Sequence, residues 1–261
     1  MVIIGLFFIV DSRAENSENS ENTSAVLKKI HWNKTIKVII TDKTVQLQSN
    51  GIPNHKRDAQ YAVPKPGIMV PDKNTAMIGD DPTKPQHYDF IITTTPQFSA
   101  HTTKAPLGSI GLMISGAVLF NPYEADDHTL AMASNFYLLD AHGKKIWFID
   151  ACSGHATPEQ GQYHYHALPN CVTSQVDKPK GPSHIIGIAL DGFFIYGAND
   201  IHGKAISVTS LDECNGINSP TPEFPKGIYH YVLPGTQDET SSIRCFKGVV
   251  DAKNIIPMPP M

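Results

Sequence analysis

Ile110-Gly-Leu-Met-Ile-Ser-Gly-Ala-Val-Leu-Phe120 and Ile186-Gly-Ile-Ala-Leu-Asp-Gly-Phe-Phe-Ile-Tyr196 align with each other without a gap. Each stretch contains two short apolar runs around a Ser-Gly or Asp-Gly pair. Because glycine accepts a positive φ, such a pair is typical of the tight turn of a β-hairpin. The two stretches therefore predict two equivalent hairpins in a β-rich fold.

Two further blocks repeat in the same order, and a proline and then a cysteine follow the second block in each copy. The matched pairs are Asp150-Ala-Cys-Ser-Gly154 with Asp212-Glu-Cys-Asn-Gly216, and Gly161-Gln-Tyr-His-Tyr165 with Gly227-Ile-Tyr-His-Tyr231. Matched blocks in one order predict an internal duplication, with halves of about 106–177 and 182–249. The fold expected is mainly β, with short hairpins and few helices.

In the first half the last block extends to Tyr163-His164-Tyr165-His166. Strict alternation predicts a strand with two unlike faces, the histidines on one and the tyrosines on the other. Two imidazoles at i and i+2 lie roughly 6–7 Å apart at the backbone, so both can reach one metal ion. In the second half Val232 stands where the second histidine would be.

A metal site is the leading functional hypothesis. Two equivalent halves that pack about a two-fold axis would bring His164 and His230 side by side, with His166 next to them. Three histidines with one open position are typical of catalytic zinc and of several copper sites. His155 is the expected fourth ligand, and copper or zinc is the expected ion.

The acidic and aromatic residues of the repeat have secondary roles in this hypothesis. Asp150 and Asp212 are expected to orient an imidazole from the second coordination shell. Four tyrosines are expected to face away from the histidines and to pack in the core with their hydroxyls hydrogen-bonded. These are Tyr163, Tyr165, Tyr229 and Tyr231.

The four cysteines predict two disulfides, since their number is even and the N-terminus looks exported. Equivalent halves should form equivalent bonds, which favours Cys152–Cys171 and Cys214–Cys245. Pairing across the halves is the alternative. A four-cysteine zinc site is a further alternative, although no C-x-x-C spacing supports it. Each disulfide would contribute about 3 kcal/mol by the loop-closure relation and would hold its histidine strand.

Length and composition exclude several classes of protein. With 261 residues, 41% hydrophobic and 18% charged, the chain can bury a sizeable core. The net charge of −4 provides no basic field for a phosphate backbone, so nucleic acid is not an expected partner. The mature chain is not expected to span a membrane.

The N-terminus resembles a secretory signal over 1–14. An apolar run from Val2 to Val10 precedes Ser12-Arg13-Ala14, which places small residues at a cleavage site. No Lys or Arg precedes the run, which a start upstream of Met1 would explain. We therefore expect a secreted or periplasmic protein. The remaining segments expected are a disordered spacer (15–24), an N-terminal β region (25–105), the duplicated domain (106–249) and a tail (250–261).

The chain resembles the YHYH-domain family, which is named for the tetrapeptide at 163–166. The resemblance also covers Asn50-Gly-Ile-Pro-Asn-His55, Gly111 to Phe120 with Asn121-Pro122, Asp150 to His155, Ile186 to Tyr196 and Leu211 to Gly216. The family comprises exported proteins whose biochemical activity is not established. His55 shares the family pattern and is a secondary site candidate.

Two alternatives to the metal site remain open on the sequence. One is hydrolysis, either metal-dependent or with His164 or His166 as general base beside Asp150, Asp191 or Asp212. No G-x-S-x-G motif supplies a nucleophile for it. The other is a metal-free extracellular module that binds a sugar, a peptide or a protein.

Overall fold

The computed structural model describes residues 23–58, 61–64, 78–79, 81–133, 137–139 and 145–255. The predicted signal peptide, most of the predicted spacer and the end of the predicted tail lie outside these residues. Thr23 and Ser24, at the end of the predicted spacer, belong to helix α1 (residues 23–27), where Thr23 is buried. The described part of the chain contains no helix with the length and apolarity needed to cross a bilayer.

The described elements are almost all short strands. They are β1 (Lys37–Ile40), β2 (Thr44–Ser49), β3 (Val63–Pro64), β4 (Ile78–Gly79), β5 (Tyr88–Thr93), β6 (Phe98–Lys104), β7 (Gly111–Met113), β8 (Val118–Leu119), β9 (Tyr137–Leu139), β10 (Lys145–Trp147), β11 (Gly154–Ala156), β12 (Tyr163–Tyr165), helix α2 (Asn170–Thr173), β13 (Ile185–Ala189), β14 (Phe194–Tyr196), β15 (Gly216–Ser219), β16 (Ile228–Val232) and β17 (Cys245–Gly248). Single 3₁₀ turns lie at Val208–Ser210, Glu239–Ser241 and Ala252–Asn254. The prediction of a mainly β fold with few helices is confirmed.

An eight-stranded sheet forms the centre of the protein, with the strand order β11-β12-β8-β7-β13-β14-β16-β15. Each strand of the first half has a counterpart at the mirrored position, so the order reads equivalently from either end. At the middle, Leu112 pairs with Ile188, Gly111 with Ala189 and Met113 with Gly187. Leu112 and Ile188 are equivalent positions of the two aligned stretches, and the other two pairs exchange with each other under a two-fold rotation, so a local two-fold axis passes between β7 and β13. The predicted duplication is present in the sheet.

Each half has the same internal connections. The predicted hairpins form as β7 with β8 and β13 with β14. The last strand of each hairpin then pairs in parallel with a Tyr-His-Tyr strand: β8 with β12 and β14 with β16. The Tyr-His-Tyr strand is covered on its other edge by the antiparallel strand β11 or β15.

The N-terminal region packs on this sheet. Strands β1 and β2 form a hairpin, and β2 pairs on its other edge with β5 to complete a three-stranded sheet. Alternate side chains point inward, among them Val45, Leu47 and Phe90, which are fully buried. They belong to the same hydrophobic core as the residues of the central sheet. The three-stranded sheet therefore shares a core with the duplicated part.

Both predicted disulfides are present. Cys152 bonds Cys171 across a Cα–Cα distance of 5.6 Å, and Cys214 bonds Cys245 across 4.8 Å. The described residues include no free cysteine. The second bond ties β17 to the turn before β15, and β17 also pairs with β6 of the N-terminal region. The alternatives of cross-half pairing and of a four-cysteine zinc site are excluded.

Candidate metal centre

Three histidines meet at the end of the central sheet that β11 forms. His155 of β11 and His164 of β12 are directly opposed across the strand pair, so their side chains share a face. His166 follows β12, and its N–H donates to the Ser153 carbonyl at 2.9 Å, which continues the ladder by one residue. His164 and His166 therefore point to one face, as the alternating pattern predicts.

The three imidazoles form a compact buried cluster. Nε2 of His155 lies 3.1 Å from Nε2 of His166, and one ring nitrogen of each histidine lies within 4.8 Å of those of the other two. The three residues are at most 2% exposed. Phe120 stacks on His164 at 3.9 Å between ring centroids, and Phe148 meets His155 edge-on at 4.2 Å. The cluster is thus enclosed by aromatic walls.

Backbone carbonyls determine the tautomers of two of these histidines. Nδ1 of His164 contacts the Gln162 carbonyl at 3.0 Å, and Nδ1 of His166 contacts the Asn121 carbonyl at 2.7 Å. Because a carbonyl oxygen can only accept, Nδ1 must carry the proton in both rings. Each neutral ring then has a free lone pair at Nε2, which is the form that binds a metal.

Burial keeps the cluster uncharged. It lowers the pKa of His155 and His164 well below the ordinary value, and each neighbouring imidazole lowers it further. The pKa of His166 falls to about 4 for the same main reason, although the bond to Asn121 raises it somewhat. At neutral pH the three rings are therefore neutral and need no deprotonation before they bind an ion.

A carboxylate that the sequence did not identify lies beside the cluster. Oε1 of Glu124 is 3.6 Å from Nε2 of His155 and 3.9 Å from Nε2 of His166. The side chain is 19% exposed, yet Oε1 itself is buried and has no hydrogen-bond partner among the described residues. Burial, with a smaller contribution from Asp126, raises the pKa of Glu124 to about 8.

The sequence signal for Glu124 is indirect. It lies in the polar stretch just after β8, and only the parallel pairing of β8 with β12 brings that stretch next to His166. Ligands are expected immediately after β8 only when this strand pairing is known. Residue spacing alone does not reveal it.

The tyrosines of the first half lie on the opposite face of β12, as predicted. The Tyr163 hydroxyl donates to Oδ2 of Asp150 at 2.6 Å, and the Tyr165 hydroxyl contacts Oγ of Ser115 at 2.9 Å and Nε2 of His55 at 2.7 Å. Asp150 also accepts the backbone N–H groups of Cys152 and Gly154. The prediction that Asp150 orients an imidazole is therefore wrong, because its acceptors are used by the tyrosine and by its own turn.

The second half repeats this arrangement. The Tyr229 hydroxyl donates to Asp212 at 2.9 Å, and the Tyr231 hydroxyl donates to Asp191 at 2.5 Å. Asp212 also accepts two N–H groups of its turn, so its predicted role beside an imidazole is wrong too. The acid–base alternative loses its proposed pairs, since Asp150, Asp191 and Asp212 all bind tyrosines.

His230 does not join the cluster, and its predicted role as the third ligand is wrong. Its strand β16 is seventh in the sheet order and β12 is second, so five strand spacings separate them. At about 4.8 Å per spacing that is roughly 24 Å along the sheet. The two-fold axis exists, but it runs between β7 and β13 rather than between the histidine strands. His155 takes the place expected for His230.

The second half has lost the ligands around its own histidine. His230 is buried, and its Nδ1 contacts the Ile228 carbonyl at 2.9 Å, as Nδ1 of His164 does with Gln162. Across the strand pair, however, His230 faces Ile217 rather than a histidine. Val232 occupies the position of His166. The three-histidine pattern is therefore present in one half only.

His55 lies on the tyrosine face, apart from the three-histidine cluster. It stands close to Cys152 and Cys171. Because these two cysteines form a disulfide, they offer no thiolate to an ion. His55 instead holds the Tyr165 hydroxyl.

Comparison with known proteins identifies a family. The sequence model described as YHYH protein matches residues 89–204 and 199–248 of the chain. Together these segments cover well over half of the sequence and include both Tyr-His-Tyr strands. No curated protein and no solved structure gives a significant match.

Proposed function

Because the chain belongs to the YHYH protein family and brings three neutral imidazoles together, we propose that it binds one transition-metal ion, copper or zinc, through His155, His164 and His166. The observation that carries this proposal is the convergence of three buried histidines on one point. Imidazole is a common ligand of both ions.

The spacing of the His155 and His166 nitrogens supports a single ion. Two donors that each lie about 2.0–2.1 Å from one metal can be at most about 4.2 Å apart. The Nε2 atoms of His155 and His166, at 3.1 Å, are within this limit. Two lone pairs at that distance repel each other unless a proton or a cation lies between them. The aromatic walls would shield a bound ion from water and strengthen its attraction to the ligands.

The proposed setting is extracytoplasmic. The two disulfides are consistent with an oxidising compartment, and the apolar stretch at residues 2–10 is the expected export signal. Outside the cytosol both zinc and copper are available to such a site. We propose residues 106–249 as the duplicated metal-binding domain.

Metal analysis of untagged protein tests the proposal, with added Zn²⁺ and Cu²⁺ as probes. Wild-type protein should bind one equivalent and melt at a higher temperature, since ligand at a hundred times its Kd stabilises by about 2.7 kcal/mol. His164→Ala should abolish both effects. His230→Ala is the matched control, because it removes a buried histidine of the same backbone setting and should leave binding unchanged.

Three outcomes would separate the possibilities. If the wild type neither contains metal nor gains melting temperature with either ion, the metal site does not exist and a metal-free binding role is left. If His164→Ala and His230→Ala lose metal equally, the effect is on folding rather than on ligation. Retention of metal by His164→Ala would also contradict the proposal.

A further inference from the structure

The segment after β8 contributes to the histidine cluster in two ways. Its Asn121 carbonyl fixes the tautomer of His166, and three residues later Glu124 directs its carboxylate at the same group of nitrogens. The loop that follows is closed on itself: the Glu124 N–H donates to the Thr129 carbonyl, and Asp126 accepts the N–H groups of His128 and Thr129. The direction of Glu124 is therefore set by a defined loop.

The buried Oε1 atom of Glu124 lacks a group that would compensate for its burial. Buried polar atoms in folded proteins almost always have a partner, and a buried carboxyl oxygen without one is unfavourable. Oε1 has no hydrogen-bond partner among the described residues, and its nearest polar neighbours are two imidazole nitrogens. His166 presents a lone pair there, which cannot donate to a carboxylate.

The distances allow one cation to satisfy all these atoms. Oε1 lies 3.6 Å from Nε2 of His155 and 3.9 Å from Nε2 of His166. Both separations are below the limit of about 4.2 Å for two ligands of one ion, yet longer than a hydrogen bond. Such gaps are the spacing of ligands around a metal rather than of groups bonded to each other.

We propose that Glu124 is the fourth ligand of the ion and completes a site of three histidines and one carboxylate. This inference rests on the proposed metal site and specifies its composition. The site then has four protein ligands, as closed sites do, and it carries a hard oxygen donor. Such a set favours divalent zinc or copper over monovalent copper, which prefers sulfur ligands.

The second half contains the equivalent loop, in which the carboxylate does not point at a histidine cluster. Asp200 occupies the position of Glu124, because its N–H donates to the Lys204 carbonyl as that of Glu124 does to Thr129. Its carboxylate instead accepts the N–H groups of His202 and Lys204 and stays at the surface. The carboxylate turns inward only in the half that has the three histidines.

Zn²⁺ titration of wild type, Glu124→Gln and Asp200→Asn tests the inference, with affinity measured by competition against a chromogenic chelator. The glutamine is nearly isosteric but is a poor metal ligand. Glu124→Gln should weaken Zn²⁺ binding at least tenfold. Without metal it should melt at the same temperature as the wild type or higher, because a neutral amide of the same size replaces a buried carboxyl group that has no hydrogen-bond partner. Asp200→Asn should bind Zn²⁺ as the wild type does.

Co²⁺ provides a second measurement, since its visible absorption reports the number and type of ligands. Glu124→Gln and Glu124→Ala should both change the Co²⁺ spectrum, and the alanine variant keeps the test available if the glutamine variant folds poorly. Unchanged Zn²⁺ affinity and an unchanged Co²⁺ spectrum in folded Glu124→Gln would overturn the fourth-ligand assignment while leaving the three-histidine site intact. Absence of binding in the wild type would instead overturn the site itself.

Discussion

Neighbouring residues of β12 point to opposite faces of the sheet and make different contacts. Tyr163 points to one face, where it is fully buried and donates to Asp150, and Arg57 lies 4.4 Å above its ring. His164 points to the other face and into the cluster. Tyr229 and Asp212 repeat the tyrosine contact beside His230, where no cluster exists. The tyrosine–aspartate contact is therefore a structural bond of the fold that is separate from metal binding.

Tyr163→Phe should lower the free energy of unfolding by about 1.5–3 kcal/mol, the usual range for a hydrogen bond to a charged group. Tyr229→Phe should cost less, because its bond is longer, 2.9 Å against 2.6 Å, and its side chain is 8% exposed. Neither variant should change metal affinity, since the hydroxyls lie on the face away from the cluster. Urea denaturation with and without Zn²⁺ measures both quantities. A loss of Zn²⁺ binding in Tyr163→Phe would contradict the separation of the two faces.

At the residue scale, the sequence predicted what depends on local alternation. The two faces of Tyr163-His164-Tyr165-His166 follow from the strand period, and His155 was placed near them through the Cys152 bond. Glu124 was missed because its approach depends on a parallel strand pair. His230 was misplaced because equivalence of two halves does not specify where their symmetry axis runs.

The β11–β12 pair is the element that builds the cluster, and the Cys152–Cys171 bond closes the chain around it. That loop contains His155, His164 and His166, with a separation of 19 residues between the cysteines. The Cys214–Cys245 loop contains β15, β16 and His230, with a separation of 31. The two disulfides are therefore expected to contribute similarly to stability, but only the Cys152–Cys171 loop contains the three-histidine cluster.

Replacing both cysteines of either pair with serine should lower stability in each case, but only one of the two double variants should also change Zn²⁺ binding. Each double variant should lose between about 3 and about 4 kcal/mol of stability by the loop-closure relation. Only Cys152→Ser/Cys171→Ser should also weaken Zn²⁺ binding, because β11 then loses its covalent tether. Denaturation and chelator competition on both variants measure this. Equal Zn²⁺ affinity in the two variants would show that the tether does not support the site.

Strand identity was more predictable than strand order. Turn residues and apolar runs predict the hairpins β7–β8 and β13–β14, since these depend on neighbouring residues. The parallel pairs β8–β12 and β14–β16 join segments far apart in the chain. Such pairings depend on how the halves pack, and a single sequence carries no local signal for them.

At the scale of the whole molecule, the central sheet has two equivalent halves, and the three-histidine cluster lies in one of them. Leu112 and Ile188 meet at the axis, and each half presents a Tyr-His-Tyr strand in the same surroundings. The core and the bond from a tyrosine hydroxyl to an aspartate, which Tyr163 and Tyr229 both form, are shared by both halves. The three-histidine cluster is not shared, because Ile217 and Val232 stand where the first half has His155 and His166. The strand order of the sheet is therefore two-fold symmetric, whereas the proposed ligands occur in one half.

This arrangement predicts that the second site can be restored. In Ile217→His/Val232→His, the new residues lie opposite His230 and two residues after it, which reproduces the register of His155, His164 and His166. The variant should bind two equivalents of Zn²⁺ per chain rather than one. Without metal it should be less stable by about 1–3 kcal/mol, because Val232 is fully buried and an unpaired imidazole replaces it.

The control for this variant is Ile217→His alone, which supplies only two histidines and should stay at one equivalent. Adding His164→Ala to the double variant should return it to one equivalent, now bound in the second half. Stoichiometry by metal analysis after gel filtration decides each case. A folded double variant that still binds one equivalent would mean that the three histidines are not sufficient. The inward carboxylate of Glu124, which Asp200 does not reproduce, would then be the missing part, and Asp200→Glu added to the double variant should supply it.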